Sequence, residues 1–497
     1  MAQELKKTIK LRDYFMLGFG SIVGVGWAVS LSGWIGSGGG VIVAMVGYII
    51  ATLMMVPIGL CYAELTPAMP VAGGSVAFTT RAFGKVSSFV VGWFVILAYA
   101  NILPWEAINI NNIIVNMLLP KVGIVQNPDA APLYVLQGSP IFPMALVIGI
   151  LTSLIIVIIN WRGTEIAVKF QTFCSTLILC CGVIVIIFSL IKFNPSNIQP
   201  IYLAAADGSH TTFLGGLMVV LAMAPFFLAG FDTIPQGAEE GSEGLNFNNL
   251  GKVLLGSVLA AGSFYVIIIF ASGSAMPWQD FAALPRPAVP AMFAGTADGS
   301  FGGLYSGVLG QLLYWITMIG ALAGLITTWN GFYIASARLV LGMGRARLLP
   351  KFFTSIHQKY GTPVGGNLVA AVFTFAGPFL GVNMIDPLTI IGSAAFMIGW
   401  FYTSASAVKL RVSEPNMNRP FKMPGGSIMG ILGMIISLAL FLITIIPSSP
   451  GFMTSIGVTY FIGWTLLGII FYIASSKYRN AIPETARVAE LFKAMNK

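Results

Sequence analysis

The most constraining feature of this chain is the recurrence of apolar runs that are about as long as a bilayer is thick. The hydrocarbon core of a membrane is about 30 Å thick and needs about 20 apolar residues in each helix that crosses it. Twelve such runs can be marked, at residues 13–35, 40–63, 87–118, 141–161, 165–191, 212–238, 252–275, 303–337, 363–383, 386–408, 428–447 and 455–476. The sequence therefore predicts an all-α membrane protein with 12 transmembrane helices.

The composition is that of a chain whose main solvent is lipid. Of the 497 residues, 57% are hydrophobic and 9% are charged, whereas a soluble domain has about 25% charged residues. An enzyme is not indicated, because His210 and His357 are the two histidines and both fall in predicted loops. No His, Cys, Asp or Glu cluster has the spacing of metal ligands, and there is no P-loop for ATP. We therefore expect no metal and no cofactor.

The basic residues indicate how the chain lies across the membrane. Residues 1–12 are charged and lack the apolar core of a signal peptide, so we expect them to stay in the cytoplasm. With twelve spans, the external loops carry only Lys121, Lys192 and Arg286, which leaves 23 of the 26 basic residues on the cytoplasmic side. This asymmetry satisfies the positive-inside rule. Both termini are thus predicted to be cytoplasmic, and the net charge of +9 does not indicate nucleic acid.

The first run, LGFGSIVGVGWAVSLSGW, is rich in glycine in the middle of the membrane. Its four central glycines are Gly18, Gly20, Gly24 and Gly26. Each glycine weakens a helix by about 1 kcal/mol relative to alanine, so together they favour a broken helix. Such a break is tolerated at membrane depth only where protein, water or a bound solute satisfies the freed backbone groups. The alternative is close helix packing, since Gly20 and Gly24 have the GxxxG spacing.

The sixth run, APFFLAGFDTIPQGAEE, is interrupted in a similar way. It has Gly230 in mid-span, followed by Asp232 and by Pro235, which removes one helical hydrogen bond. Interrupted segments at corresponding positions of two halves indicate an inverted-repeat transporter with its site near the bilayer midplane. Half-helix N-termini can receive a carboxylate, and unwound carbonyls can receive an ammonium group or a cation. A zwitterion fits both ends.

Three motifs resemble those of the amino acid/polyamine/organocation superfamily. They are GSIVGVG at 20–26, FxxxGFD at 226–232 and SAR…GRARLLP at 336–350, and the resemblance covers roughly residues 10–425. It implies the leucine-transporter fold, in which helices 1–5 and 6–10 form a 5+5 inverted repeat with helices 1 and 6 broken, plus two peripheral helices. The implied parts are a ten-helix core at 13–410, peripheral helices at 411–476, and cytoplasmic tails at 1–12 and 477–497.

The same resemblance implies the residues of a substrate site. At the helix-one break, the residues that would hold a substrate carboxylate are Ser21, Ile22, Val25, Gly26 and Trp27. The residues that would flank the amine or line the pocket are Tyr99, Phe226, Ala229, Asp232 and Phe332. Val25 departs from the small polar residue usual in the superfamily. Trp27 adds bulk beside the break and is either a lid over the substrate or an outward-facing lipid contact.

Two acidic residues fall within apolar spans, where a carboxylate is costly unless it is paired or wetted. Asp232 is a candidate site residue, or else it makes a buried structural hydrogen bond. Glu106 lies seven residues after Tyr99, about two helical turns along the same face. Glu106 either faces the pocket or is solvated near the outer interface. If both acids face the pocket, they would bind an extra cationic group of the substrate or carry a coupled proton.

The coupling ion is left open between Na⁺ and H⁺. In sodium-coupled relatives, paired hydroxyls of helix eight complete a cation site with helix-one carbonyls, and the matching residues here are Thr327, Thr328, Gly20 and Val23. The alternative is that these threonines bond their own backbone. No lysine follows Gln171 in the fifth run, which weakens a lysine-based proton mechanism. A carboxylate-based proton route stays open.

These observations predict a secondary active transporter that moves an amino acid across the plasma membrane by alternating access, ion-coupled or exchanging. One alternative is an amine or polyamine permease that uses Glu106 and Asp232, and a remote one is a membrane sensor that binds the solute without moving it. The expected partners are a small-molecule substrate and the lipid bilayer, with the protein as a monomer or homodimer. The short loops suggest a prokaryotic inner membrane.

Overall fold

The structure, a computed structural model, describes residues 5–121, 123–124, 131–206, 208–296 and 299–496. Its helices are α1 (Leu11–Ile22), α2 (Gly26–Val29), α3 (Leu31–Gly38), α4 (Val41–Ala68), α5 (Ser75–Phe83), α6 (Lys85–Ile113), α7 (Leu119–Lys121), α8 (Pro143–Arg162), α9 (Thr164–Ile191), α10 (Phe213–Leu228), α11 (Thr233–Gln236), α12 (Phe247–Gly273), α13 (Trp278–Ala283), α14 (Ala288–Ala294), α15 (Gly307–Arg345), α16 (Val364–Ala376), α17 (Ile385–Ser413), α18 (Ser427–Ile445), α19 (Ser455–Ala474), α20 (Ser476–Arg479) and α21 (Glu484–Leu491). One antiparallel hairpin joins β1 (Tyr134–Leu136) to β2 (Ser139–Ile141).

The prediction of an all-α, multi-pass membrane protein is confirmed. Within the described residues, ten helices are long and apolar enough to cross a bilayer, and there are eleven if the bent pair Leu11–Val29 and Leu31–Gly38 forms one span. The run predicted at 363–383 contains a shorter apolar helical stretch, Val364–Phe379. Gly377 and Pro378 follow α16 and tighten its end into a 3₁₀ turn. The count of twelve therefore stays a prediction.

The helices differ strongly in how deeply they are buried. In the most apolar stretches of α6 and α17, 78% of the residues are buried, against 11% in α19. α6 and α17 pack against each other, α6 also packs against α15, and α17 also packs against α10, which places α6 and α17 at the centre. The peripheral α19 is held to α6 by a reciprocal pair, because the Trp93 and Trp464 indole N–H groups each donate to the other residue's carbonyl, at 2.9 and 3.0 Å.

Both described ends of the chain pack on one side of the bundle, here called the tail side. The Thr8 N–H donates to the Glu240 carbonyl at 2.9 Å. On this side, Arg338 forms a buried ion pair with Glu240, and Arg345 pairs with Glu239, each at 2.5 Å. α15 continues past the predicted end of its run at residue 337 to Arg345. Its basic residues are thus partners of buried acids, as well as marking one face of the membrane.

The opposite face, here called the far side, is covered by two short helices. α13 and α14 pack on α3, and their Trp278, Phe281 and Met292 side chains are buried. The guanidinium of Arg286, between these helices, lies against Gly33 of α3, where an added Cβ would come within 2.4 Å of it. Arg286 is one of the three basic residues predicted in external loops. The side chain of Lys121 lies outside the described residues.

The C-terminal helix α21 docks on the tail side through one buried arginine. Arg487 is fully buried, and its guanidinium donates to the Ala346 carbonyl at 2.6 Å, to the Arg479 carbonyl at 2.5 Å and to the Glu484 carboxylate at 3.1 Å. Beside it, Arg347 and Glu490 pair at 2.7 Å. The bond to Ala346 and the Arg347–Glu490 pair tie the predicted tail at 477–497 to the end of α15. Residues 1–4 and 497 of the two tails lie outside the described part.

We predict that Arg487→Ala releases α21 from the bundle. Each charge-assisted hydrogen bond contributes about 1.5–3 kcal/mol, so losing those to Ala346 and Arg479 weakens docking by about 3 kcal/mol or more. Limited proteolysis of the purified protein should then cut the C-terminal segment at least tenfold faster. Lys493→Ala, at an exposed residue of the same segment, serves as the control. Equal cleavage rates in both variants would contradict the docking role of Arg487.

Candidate functional site

The first interruption separates α1, which ends at Ile22, from α2, which begins at Gly26. The Ala28 and Val29 N–H groups donate to the Val25 carbonyl at 2.8 and 3.0 Å. The N–H groups of residues 25–27 therefore precede the first helical hydrogen bond of α2 and have no partner within that helix, as at the start of any helix. The chain bends by 70° further along, between Leu11–Val29 and Leu31–Gly38.

The second interruption separates α10, which ends at Leu228, from α11, which begins at Thr233. Gly230 has φ +133°, a conformation that L side chains rarely adopt. A Cβ built on Gly230 would lie 2.6 Å from the Ile22 nitrogen and from the Ser21 carbonyl carbon. The two interruptions are thus in direct backbone contact, and a glycine is required where they meet.

A small cavity lies at the first interruption, beside the end of α10. Its volume is about 20 Å³, which is room for about one water molecule. Its lining comes from the first interruption, the two central helices α6 and α10, and α12 and α15: Ser21, Ile22, Gly24, Val25, Gly26, Ile102, Trp105, Glu106, Phe226, Phe227, Tyr265 and Thr328. A larger cavity, of about 470 Å³, lies between the end of α6, the hairpin, the start of α8 and residues 378–382, and none of the predicted site residues lines it.

The structure brings about half of the predicted site residues to this cavity. Those that line it are Ser21, Ile22, Val25, Gly26, Glu106, Phe226 and Thr328. Those that do not are Gly20, Val23, Trp27, Tyr99, Ala229, Asp232, Thr327 and Phe332. The lining residues that the sequence reasoning missed are Gly24, Ile102, Trp105, Phe227 and Tyr265.

Three of the five lining residues that were not predicted are aromatic. Trp105 and Phe227 each lie next to a predicted residue along the chain, and their ring centroids are 6.0 Å apart. The Tyr265 hydroxyl donates to the Ile22 carbonyl at 2.7 Å and so satisfies a carbonyl freed at the end of α1. No motif marked Tyr265, because it stands in an unbroken apolar run. Trp105 and Phe227 could have been predicted, because they adjoin Glu106 and Phe226 in the sequence.

Glu106 faces the cavity and is buried. Its side chain is 2% exposed, and its Oε2 has no hydrogen-bond partner among the described residues. The alternative of a solvated carboxylate at the outer interface is therefore wrong. An ionisable group that is buried in a membrane span and faces a cavity is a functional candidate by default.

Asp232 instead serves the backbone of the second interruption. Its Oδ1 accepts from the Gly230 N–H at 3.1 Å, and its Oδ2 accepts from the Tyr99 hydroxyl at 3.1 Å. Tyr99 also lies at 3.0 Å from the Asp232 carbonyl oxygen, and its ring packs on Phe332. This geometry matches the structural alternative for Asp232, since its carboxylate holds residues 229–232 in place and lies outside the cavity lining.

Trp27 does not face the lipid, and its role as a lid over the substrate stays a prediction. Its side chain is fully buried, which excludes the outward-facing lipid contact. It packs edge-on against Phe264 at 6.2 Å and over Gly320, away from the cavity lining. Gly320 has no side chain, and this leaves room for the Trp27 indole against α15.

The two threonines bond mainly to their own helix. The Thr327 hydroxyl donates to the Gly324 carbonyl at 2.9 Å, and the Thr328 hydroxyl lies 3.1 Å from the same carbonyl oxygen. Thr328 also reaches the Gly20 carbonyl at 3.5 Å, so it touches helix one as the sodium arrangement requires. Gly20 and Gly24 serve close packing as well, against Ser175 and Thr328 respectively. The cation site stays a prediction.

We predict that Gly230→Ala disrupts the contact between the interruptions. The added Cβ meets backbone atoms at 2.6 Å, which cannot move aside as a flexible side chain would. The purified variant should melt at a clearly lower temperature than the parent protein in a thermal scan. Gly256→Ala, where a Cβ meets nothing within 4 Å, is the matched control and should melt like the parent. An unchanged melting temperature for Gly230→Ala would show that the contact is not tight.

Comparison with known proteins identifies the family of this chain. The family described as "Amino acid permease" matches residues 9–472. The branched-chain amino acid permease BcaP of Bacillus subtilis (strain 168) is 24% identical over 485 residues, covering 96% of this chain and 94% of that protein. The methylthioribose transporter of the same organism is 23% identical over 486 residues, with coverage of 96% and 95%. The human large neutral amino acids transporter small subunit 2 is 24% identical over 433 residues, with coverage of 84% and 72%.

These similarities confirm the resemblance that the three motifs carry. The family match spans the region that holds both interruptions, the cavity and α15. The family's members are transporters rather than enzymes, as the absence of enzyme motifs in the sequence had predicted. The chain therefore belongs to the amino acid permease family of the amino acid/polyamine/organocation superfamily.

Proposed function

We propose that this permease is a secondary active transporter that carries an amino acid across the plasma membrane by alternating access. The observation that carries the proposal is the buried cavity at the first helix interruption, beside the place where Gly230 of the second interruption packs on the end of α1. Irregular backbone at membrane depth is tolerated where it is buried in protein or lines a cavity. Interruptions of this kind hold the substrate in inverted-repeat transporters.

The proposed architecture is the leucine-transporter fold with twelve spans. The interruptions fall in the first and sixth runs, which are the same position in two successive sets of five. Val364–Phe379 would supply the ninth span. The core would cover 13–410 and the peripheral helices 411–476, with α18 and α19 exposed along much of their length. We place both termini in the cytoplasm of a prokaryotic cell, from the basic residues on the tail side.

The proposed binding mode uses both interruptions. The N–H groups of residues 25–27 receive the substrate carboxylate, and the carbonyls at the end of α10 receive the ammonium group. Ile102, Trp105, Phe226 and Phe227 then surround an apolar side chain. A cavity of about 20 Å³ is too small for any amino acid, so the bundle must open for the substrate to enter, as alternating access requires.

A neutral, apolar amino acid fits this lining best. Relatives of the chain include a branched-chain amino acid permease and a large neutral amino acids transporter. The amine or polyamine alternative needs Glu106 and Asp232 at one site, yet Asp232 is engaged by Gly230 and Tyr99 outside the lining. The similarity to a methylthioribose transporter places that thioether sugar in the test panel.

We predict that leucine or isoleucine stabilises the purified protein, because a ligand that binds the folded state at 100 times its Kd adds about 2.7 kcal/mol. Thermal shifts against leucine, isoleucine, lysine, putrescine and methylthioribose, with and without sodium, would check this. Uptake of radiolabelled leucine into proteoliposomes separates a transporter from a sensor, since a sensor shifts melting without accumulation. A sodium-dependent shift supports the threonine site. A shift by putrescine alone would overturn the amino acid assignment.

We predict that Gly26→Leu abolishes leucine uptake without loss of membrane insertion. A Cβ at this position would lie 2.8 Å from the Phe227 ring and 3.0 Å from that of Trp34, so the larger side chain fills the cavity. Gly463→Leu is the matched control, because Gly463 lies on lipid-exposed α19 with nothing within 4 Å of its Cβ. Uptake by Gly26→Leu at the parent rate would exclude this cavity as the site.

A further inference from the structure

Glu106 is the one carboxylate in the lining of the cavity described above. It stands on α6, one residue after Trp105, and one of its oxygens has no hydrogen-bond donor among the described residues. Its neighbours in the lining include the apolar groups of Ile102, one turn earlier on α6, and of Phe226 and Phe227 on α10. An isolated carboxylate in such surroundings is costly unless a cation or a proton neutralises it.

No side chain in the lining supplies a positive charge. The α1, α2, α10 and α15 residues that line the cavity have no titratable group, and α12 contributes the Tyr265 phenol. The Tyr265 proton is engaged with the Ile22 carbonyl, and the Tyr48 ring packs against Tyr265 at 5.4 Å. The next titratable group along α6 is Tyr99, whose hydroxyl donates to the Asp232 carboxylate of the second interruption. Asp232 is itself an acid, so it cannot neutralise Glu106.

The small size of the cavity favours a proton over a hydrated cation or an ammonium group as the partner that neutralises Glu106. A volume of about 20 Å³ holds about one water, which is less than a hydration shell. A substrate ammonium group cannot enter while the helices pack in this way. A single proton needs no extra space, because it forms an O–H bond on the existing carboxylate oxygen. The compact conformation therefore suits a neutral carboxylic acid at residue 106.

We propose that Glu106 is the proton-binding residue of the transport cycle, protonated whenever the cavity is compact and required to be so for substrate to cross. The proposal rests on the proposed transport function. When the site opens to one side, the carboxylate takes a proton from water and forms an O–H bond. That bond breaks to water only when the site opens again. A neutral substrate then needs no counter-charge from Glu106.

The test compares Glu106→Gln, a permanently neutral isostere, with the parent protein in two measurements. The first is exchange of radiolabelled leucine across proteoliposomes with equal pH on both sides, over a series of pH values. The second is the infrared carbonyl stretch of a protonated carboxyl group in the purified protein. Glu243→Gln, at an exposed tail-side carboxyl, is the matched control, and Glu106→Asp keeps a titratable group.

We expect exchange by the parent, by Glu243→Gln and by Glu106→Asp to fall about tenfold per pH unit at alkaline pH, as for one required proton. The exchange that Glu106→Gln retains, whatever its rate, should be independent of pH over the same range, and its protonated-carboxyl band should be missing. Loss of leucine binding in Glu106→Gln, or a parent spectrum without the band, would overturn the proposal. If the parent shows no exchange at any pH while the band is present, the transport function fails and the protonation of Glu106 stands.

Discussion

The structure depends on one constraint: backbone polar groups inside a membrane must find partners within the protein or in a bound solute. Two stretches, residues 23–25 and 229–232, leave the helical pattern in the middle of the bundle. Side chains satisfy part of the freed backbone, since Tyr265 donates to the Ile22 carbonyl and Asp232 accepts from the Gly230 N–H. The first interruption and the end of α10 border the small cavity, where we propose that a zwitterion binds.

Contacts on both sides of the bundle hold the two interrupted runs in place. On the tail side, the buried Arg338–Glu240 pair joins α15 to the segment just after α11. On the far side, α13 and α14 pack on α3, the continuation of the first interrupted run. Each of these contacts ties an interrupted run to another part of the bundle. Because breaking a buried ion pair is costly, the opening that we propose on the tail side would require α11 and α15 to separate where water can hydrate both charges.

Much of this arrangement could be predicted from the sequence, because glycine and proline mark where a helix stops. The clusters around Gly24 and Gly230 located both interruptions, and the isolated acid Glu106 pointed to the cavity. The sequence could not show that Asp232 turns back to its own loop, since an acid beside a break can face either way. The positions of the Trp27, Tyr265 and Phe227 rings could not be predicted either, because each depends on which neighbour the ring meets across the bundle. The end of α16 was missed because Gly377 and Pro378 stand inside an otherwise apolar run.

The central claim, that the two interruptions hold the substrate, is tested most directly by an experimental structure of the protein with leucine at saturating concentration. We expect density for leucine between residues 23–25 and 229–232. The carboxylate should lie on the N–H groups of residues 25–27, and the apolar side chain should lie against Trp105 and Phe226. Density for leucine only in the larger cavity near Asn111 and Ser139, with the central cavity unchanged, would contradict the account.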